Sequence, residues 1–184
     1  MAKKKRAAKR SAKRKKTAAA GRALTWAEFR RAVPELAQKG EKLFRKTYVV
    51  LVGTVRKDGS PRISPVEPEF FDGELYMGMM WCSLKALDLL RDPRCTVHNA
   101  IADRMAKHGE FKLHGRARHV TDLAERGRYC DALYKRIRWR PQEPRFHVFA
   151  IRVRSAGYFS YAKGKRMVER WRAGGKATRY EQKV

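Results

Sequence analysis

Residues 47–80 read TYVVLVGTVRKDGSPRISPVEPEFFDGELYMGMM. The segment holds three apolar or β-branched runs, which are separated by Asp58-Gly59 and by Asp72-Gly73. An Asp-Gly pair between two such runs is a strong short-range signal of a tight β-hairpin. Two successive hairpins predict three antiparallel strands in a meander, because parallel strands need a longer crossover between them.

Strand patterns continue beyond this meander. Residues 110–120 alternate, with apolar or small side chains at 111, 113, 115 and 117 and polar ones between them, as in a half-buried strand. Pro141 and Pro144 mark a loop before the last part of the chain. Further candidate strands are shorter and lie at residues 95–100, 146–153, 158–161 and 166–172.

Helix signals flank the strands. Thr25 with Glu28 forms a capping-box pattern that begins one helix, and Asp122 with Glu125 begins another. Ser83 has the position of an N-cap for a further helix. Together these elements predict an α+β fold that is mostly antiparallel β, a barrel of six to seven strands with two or three flanking helices. Leu84, Leu87 and Leu90 form one apolar stripe of the helix after Ser83, which Asp92-Pro93 ends.

The charge of the chain is concentrated at its start. The formal net charge is +27, and residues 1–16 contain ten Lys or Arg and no acidic residue. Such a segment has no apolar surface to bury, so residues 1–22 are predicted to be a disordered basic tail ahead of one domain, residues 23–184. We expect the tail to be dispensable for folding and to bind nucleic acid without sequence preference, in a salt-dependent manner.

The cysteine and hydropathy patterns bear on the cellular location of the protein. Cys82, Cys95 and Cys130 are widely spaced and form no CxxC pair, so reduced thiols and a cytoplasmic location are expected. No apolar run approaches the ~20 residues of a membrane span, so no membrane partner is predicted. The five histidines show no zinc-ligand spacing, and no metal site is predicted.

The best local candidate for a binding site is Ser83-Leu84-Lys85. A helix N-terminus offers free backbone N–H groups and the positive end of the helix dipole. A hydroxyl and an ammonium beside those groups make a site for a phosphate-sized anion. The alternative from local sequence is an ordinary capped helix with a solvated lysine.

An ordered set of motifs resembles a known family. The segments LVGTVRKDGSPRISPV, DGELYM and SLKALDLLRDPRCTV resemble the FMN-binding split barrels of the pyridoxamine 5'-phosphate oxidase-like type. The resemblance covers Val49 to Val97 and continues, through the order of elements, to Trp171. It implies a split β-barrel that binds FMN, or alternatively the deazaflavin F420, between the subunits of a homodimer. It further implies an oxidoreductase acting on a small-molecule substrate.

The resemblance also assigns cofactor-binding residues by position, whereas it identifies no catalytic residue. Three groups are implied: residues along the flavin ring, residues along the ribityl chain, and residues at the phosphate. Trp171 is implied to pack near the ring of the partner subunit's cofactor. The groups are Arg62, Ile63, Ser64 and Pro65 for the ring, Met79, Met80 and Trp81 for the ribityl chain, and Ser83 and Lys85 for the phosphate.

Two features depart from the family pattern. Asp88 stands where members often have Asn, and a carboxylate there is expected to weaken anion binding. The C-terminal Arg-Leu-x-Pro stretch of true pyridoxamine phosphate oxidases is absent, which argues against pyridoxal phosphate synthesis. The alternatives left open are a nucleic-acid-associated protein that uses its basic tail, and a non-catalytic flavin- or haem-binding protein, with His114 or His119 as the haem candidates.

Overall fold

The computed structural model describes residues 21–101, 108–142, 144–162 and 164–183. The predicted tail therefore lies outside the described residues, except for Gly21 and Arg22. The Gly21 amide donates to the Ala173 carbonyl at 3.2 Å, and Leu24 forms an isolated bridge with Val153. In the described ranges no helix is both long enough and apolar enough to cross a membrane.

Four helices occur in these ranges, and local sequence explains where they begin. The Thr25 hydroxyl accepts a hydrogen bond from the Glu28 amide, and the Glu28 carboxylate accepts one from the Thr25 amide, so the predicted capping box forms. Pro34 lies in the first turn of the second helix, where its missing N–H would have no partner anyway. Asp122 caps the last helix by accepting from the Glu125 amide at 2.7 Å. The helices are α1 (Trp26–Ala32), α2 (Pro34–Thr47), α3 (Leu84–Arg91) and α4 (Leu123–Ile137).

The strands in the described residues form one antiparallel sheet of nine. Both predicted hairpins are present: Gly59 has φ of 86°, and Asp72 and Gly73 have φ of 47° and 72°, as a two-residue type I′ turn requires. The fold class predicted from sequence is confirmed, with more elements than the six or seven strands and two or three helices expected. The strands are β1 (Val50–Val55), β2 (Pro61–Val66), β3 (Pro68–Phe71), β4 (Glu74–Met80), β5 (Arg94–Asn99), β6 (Glu110–His119), β7 (Phe146–Ala162), β8 (Lys165–Arg172) and β9 (Thr178–Lys183).

Strand β7 divides the sheet. Residues 146–150 pair with β4, residues 155–162 pair with β8, and β6 follows the other edge of β7 in both halves. A register shift opposite His114 and Gly115 leaves Arg154 as the extra residue of a bulge between the halves. Beyond β7 the sheet therefore splits into a β4–β3 branch and a β8–β9 branch, whereas the sequence predicted two separate strands here.

Two apolar clusters hold the fold together. The larger lies inside the curved sheet and is closed by α1, which buries Phe29 against Trp171, and by α2, which buries Phe44 against Phe111 of β6. The smaller lies on the outer side of the sheet, where Tyr129 and Leu133 of α4 pack on β4 and β7. Helix α4 therefore covers one part of the outer sheet surface, next to the end of β4.

Helix α3 leaves its apolar leucine stripe on the surface. Leu84, Leu87 and Leu90 are 61%, 43% and 45% exposed. The buried side chains of this helix include Asp88, whose carboxylate accepts a hydrogen bond from Thr54 of β1 at 2.8 Å. Ala86 and Leu89 on the same face are buried in the main core, so this face of α3 turns inward and the leucine stripe stays on the surface.

Candidate functional site

A cavity of about 960 Å³ opens between the ends of β4 and β2 and the C-terminal half of α4. We call it the β4–α4 pocket. Its size lies at the upper end of the usual range for small-molecule sites, about 300–1,000 Å³. Its lining is largely apolar and aromatic, as expected for a flat organic ligand. The apolar lining comprises Pro65, Met79, Met80, Trp81, Leu133, Ile137, Trp139 and Phe146.

Trp81 lies at the end of β4, where the chain turns toward α3. The Ser83 amide donates to the Met80 carbonyl at 3.1 Å, and Cys82 between them has φ of 53°, in the left-handed region. The indole of Trp81 stacks on the imidazole of His147, with ring centroids 4.6 Å apart and planes 9° from parallel. Trp81 is still 53% exposed, so a ligand in the pocket can contact it.

A histidine pair lies behind Trp81. Nδ1 of His147 and Nε2 of His119 are 3.3 Å apart, and His147 is 4% exposed. Burial lowers the pKa of both imidazoles, and the nearby Arg126 guanidinium lowers them further. The pair is therefore neutral at physiological pH. Among the described residues no three His, Cys, Asp or Glu side chains form a group suited to a metal ion.

The start of α3 has unused hydrogen-bonding groups. The Ser83 hydroxyl is buried, does not cap the helix, and finds no hydrogen-bond partner among the described residues. Lys85 lines the pocket and forms no ion pair within the described ranges. The first-turn amides of any helix also lack intrahelical partners, and this first turn contains no acidic residue. These groups together suit a bound anion.

Asp88 is not a free negative charge beside this anion site. Its carboxylate accepts from Arg62 Nε at 2.7 Å and from Thr54, and Arg91 Nη2 lies 3.5 Å away. Burial opposes ionisation of Asp88, but the hydrogen bonds from Arg62 and Thr54 outweigh burial and lower its pKa. The repulsion expected from the sequence is therefore largely compensated by two guanidinium groups.

The structure brings five of the predicted cofactor residues to the lining of one cavity. Pro65 reaches it from the end of β2, and the others come from the end of β4 and the first turn of α3. The side chain of Met79 is 4% exposed, so it forms part of the wall more than of the open surface. The five are Pro65, Met79, Met80, Trp81 and Lys85.

The other predicted residues lie elsewhere. Arg62 is directed to Asp88, and Ile63 is 72% exposed on the outer face of β2, with Ser64 between Ile63 and Pro65. Ser83 precedes Lys85 at the start of α3 but does not line the cavity. Trp171 is 4% exposed and packs on Phe29 in the main core, with centroids 5.0 Å apart. Its predicted contact with the ring of a partner subunit's cofactor stays a prediction.

Sequence reasoning missed the wall formed by α4 and the residues after it. Gly78 of β4 allows close approach of the Tyr129 hydroxyl, which a Cβ at Gly78 would overlap. Arg140 and Arg145 add positive charge to the lining. The Trp139-Arg140-Pro141 sequence directly after the helix, with an aromatic and a basic residue before proline, was an available signal that this segment faces a ligand.

Comparison with known families supplies the decisive observation. The family model described as pyridoxamine 5'-phosphate oxidase matches residues 36–160, which is more than half of the chain. The chain belongs to the pyridoxamine 5'-phosphate oxidase family. The resemblance drawn from the motifs between Val49 and Val97 is thus confirmed, and the matched region contains all of the predicted cofactor residues except Trp171.

Several solved structures share the fold of this chain. An FMN-binding, pyridoxamine 5'-phosphate oxidase-related protein from Nostoc punctiforme has a TM-score of 0.57 at 13% identity, covering 85% of this chain and 97% of its own. A relative of general stress protein 26 from Clostridium acetobutylicum has a TM-score of 0.55 at 16% identity, covering 73% and 92%. A heme binding protein from Mycobacterium smegmatis has a TM-score of 0.55 at 18% identity, covering 79% and 57%.

These identities show a shared fold alone. No curated protein matches the chain. The ligand of this family member must therefore be inferred from the chemistry of its own pocket.

Proposed function

We propose that the chain binds FMN, or alternatively F420, in the β4–α4 pocket and acts as a flavin-dependent oxidoreductase on a small molecule. One observation carries the proposal. Lys85, in the first turn of α3, lines a cavity of aromatic and apolar side chains, and the Ser83 hydroxyl, which has no partner among the described residues, lies two positions before it. A ligand with an anionic end and a planar aromatic end matches both parts of this arrangement. Family membership and the FMN-binding relative support the same choice.

The residues present fit such a cofactor. Lys85 and the first-turn amides of α3 would hold the phosphate, with the Ser83 hydroxyl as a further donor. Trp81 and Trp139 offer aromatic surface to the ring system, and both are more than half exposed. F420 carries more negative charge than FMN, and Arg140 and Arg145 in the lining would suit that longer anionic chain.

When bound, a flavin would supply hydride or single-electron transfer, and the chain would supply binding and orientation. Met80, Trp81 and Trp139 would shield the ring from water. The hydroxyl of Tyr129 stays protonated at physiological pH, because burial raises its pKa, with Glu69 contributing. A neutral hydroxyl above Gly78 is a hydrogen-bond donor toward the pocket.

We also propose a homodimer. The leucine stripe of α3, formed by Leu84, Leu87 and Leu90, begins at the anion site and is exposed. Covering it with a second copy would bring that copy close to the cofactor. The dimer would thereby enclose a site that a single chain leaves open at Met80, which is 79% exposed.

Reconstitution tests the proposed cofactor. The full-length chain is titrated with FMN, F420, riboflavin and haem, and binding is followed by absorbance and by quenching of flavin fluorescence. Tighter binding of FMN or F420 than of riboflavin is expected, because riboflavin lacks the phosphate. Haem binding without flavin binding would favour the haem alternative and contradict the proposal.

Activity is tested separately from binding. The loaded protein is assayed for reduction of the bound cofactor by nicotinamide nucleotides and for transfer to artificial electron acceptors. Turnover is expected, but oxidation of pyridoxamine phosphate is not. A tightly bound cofactor that no donor reduces would indicate a storage or sensing role for the flavin.

A further inference from the structure

A second groove lies on the outer sheet surface, away from the β4–α4 pocket. Its floor is the second half of β7, with Ser155, Gly157 and Phe159 facing outward, and its volume is about 700 Å³. We call it the β7 groove. Gly157 has no side chain, so the floor stays low between Lys112 on β6 and Arg170 on β8, which lie directly opposite it on either side.

Strand register arranges the groove residues in rows. Residues directly opposite each other on neighbouring antiparallel strands project to the same face. Lys112, Gly157 and Arg170 therefore form one row across the groove, which Thr178 of β9 extends. A parallel row begins with Glu110 on β6 and continues through Phe159 and Val168 to Tyr180 of β9, which lies beside the groove lining.

Three cationic side chains in the groove are available for a ligand. Arg170, Arg172 and Lys176 form no ion pair with any residue that the structure describes, whereas Lys112 contacts Glu110 at 3.1 Å. Glu169, which directly precedes Arg170 in sequence, points inward and pairs with Lys39 at 2.6 Å, so its carboxylate is not paired with Arg170 or Arg172. The segment 165–183 contains seven Lys or Arg and two Glu, which gives this part of the sheet an excess of positive charge.

The aromatic side chains of the second row, Phe159 and Tyr180, are also accessible. Tyr180 is 57% exposed on β9, and Phe159 is partly exposed on β7. The two rows are two residues apart along each strand, which corresponds to about 7 Å. Cations beside flat aromatic side chains at this spacing are typical of surfaces that bind phosphates and unstacked bases together.

From this arrangement we propose that the β7 groove binds single-stranded nucleic acid, with Arg170 and Arg172 contacting phosphates and Tyr180 stacking on a base. A single strand fits better than a duplex, since a paired and stacked base offers no free face to Tyr180. This binding site is separate from the proposed flavin site and from the basic tail. It adds a second ligand class to the protein.

The test uses the full-length chain and two probes. Fluorescence anisotropy measures binding of a single-stranded oligothymidylate and of an abasic chain of the same length over a range of salt concentrations. Tyr180→Ala is expected to weaken oligothymidylate binding by about tenfold, the effect of losing one stacked base, and to leave binding of the abasic chain unchanged. Equal losses for both probes, or no loss, would overturn the proposed stacking.

A charge-matched pair of variants tests the cations. The double variant Arg170→Gln/Arg172→Gln should reduce the slope of log affinity against log salt by about 1.4, from roughly 0.7 for each phosphate contact. Arg31→Gln/Lys42→Gln removes two exposed charges from α1 and α2 and should leave the slope nearly unchanged. Equal slopes for the two double variants would place binding elsewhere, for example on the tail.

Two further measurements test where the strand binds and whether the substitutions change the oligomeric state. Ultraviolet crosslinking of an iodouracil-substituted strand to the wild-type protein should label peptides that contain Tyr180 or Phe159, and labelling confined to other peptides would overturn the proposal. Sedimentation of the wild type and of Arg170→Gln/Arg172→Gln should show the same oligomeric state. Dissociation caused by the substitutions would instead identify the groove as a contact between copies of the chain.

Discussion

At the scale of single residues, the start of α3 has polar groups that the described chain does not satisfy. A buried hydroxyl without a partner costs free energy, typically about 1–3 kcal/mol, so Ser83 is an unfavourable choice unless something else binds to it. Lys85, in the same first turn, is equally unpaired within the described residues. A ligand anion would satisfy both groups.

Replacing Lys85 tests this account. A charge-assisted hydrogen bond contributes about 1.5–3 kcal/mol, so Lys85→Ala should weaken FMN binding by roughly ten- to a hundredfold. Riboflavin affinity should hardly change, because riboflavin has no phosphate. Fluorescence titration of both ligands measures the difference, with Lys46→Ala on the exposed side of α2 as the matched control. Equal losses for FMN and riboflavin would disprove the phosphate contact.

The His119–His147 pair predicts a pH dependence of stability. Both pKa values are lowered in the folded state, by burial first, so the unfolded chain binds more protons just below its own histidine pKa of about 6.5. The free energy of unfolding should therefore be fully present above about pH 6.5 and decrease as the pH falls below it. Urea denaturation at about pH 7.5 and 5.5 measures the decrease.

Variants assign this decrease to the pair. His147→Gln should reduce it, although His114, whose pKa burial also lowers, leaves part of it in place. His108→Gln alters an exposed histidine and should leave the decrease as in the wild type. A His147→Gln protein with unchanged pH dependence would show that the pair does not titrate as described.

At the scale of elements, α2 packs closely on the sheet because of one residue. Gly40 faces β6, and a Cβ at this position would overlap the ring of Phe111, which is itself fully buried. The helix therefore approaches the sheet more closely than any other residue would permit. The energetic cost of a glycine inside a helix is offset here by the packing of Phe111 and Phe44, whose ring centroids are 5.2 Å apart.

Two glycine substitutions separate packing from helix propensity. Gly40→Ala should lower the free energy of unfolding by about 1–3 kcal/mol, because the added methyl group overpacks the core. Gly127→Ala on α4 adds a methyl group with no atom within 4 Å and should raise stability by about 0.4–1 kcal/mol. Denaturant titration of both variants checks the opposite signs; destabilisation by both would mean that packing at Gly40 is not the cause.

The sequence predicts those turns and helix ends that depend on residues close together in the chain. The two Asp-Gly turns and the caps at Thr25 and Asp122 depend on residues within a few positions of each other, and all are present in the structure. The inward face of α3 depends instead on contacts with residues distant in sequence, such as Thr54, more than thirty positions away, so the leucine stripe alone does not show which face is buried. Strand β9 has no buried side chain and therefore no hydrophobic alternation to reveal it.

The distinction between local and distant contacts also explains which residues of the candidate site the sequence predicted. Met80, Trp81 and Lys85 follow each other closely along the chain, so motif and spacing place them together. Trp139 and Arg145 reach the pocket only because α4 folds back across β4. Trp171 was assigned by its position in the resemblance, but alternation along β8 directs it inward and directs its neighbours Arg170 and Arg172 outward.

At the scale of the whole molecule, the exposed leucine stripe of α3 favours association. Adjacent exposed apolar side chains on a single face are typical of protein interfaces. Leu87→Glu should shift the protein from dimer to monomer in analytical ultracentrifugation and weaken cofactor binding. Leu123→Glu on α4, where the leucine is 78% exposed, is the matched control and should leave the dimer intact. A monomeric wild-type protein that still binds flavin would contradict the proposed dimer.

The contact of Gly21 with Ala173 has a consequence for how the two ends of the chain work together. It fixes Gly21 beside Ala173 and therefore close to Arg172, and the bridge between Leu24 and Val153 holds this attachment point in place. The ten cations of residues 1–16 are therefore joined to the fold at a point close to Arg172, which lines the β7 groove. When a polyanion is bound in the groove, its contact with the basic tail becomes intramolecular. The strength of that contact then depends on the effective concentration of the tail, which is set by the length of the connecting chain. Lengthening the chain between residues 20 and 21 with a flexible insert should therefore lower avidity and leave both sets of contacts chemically unchanged.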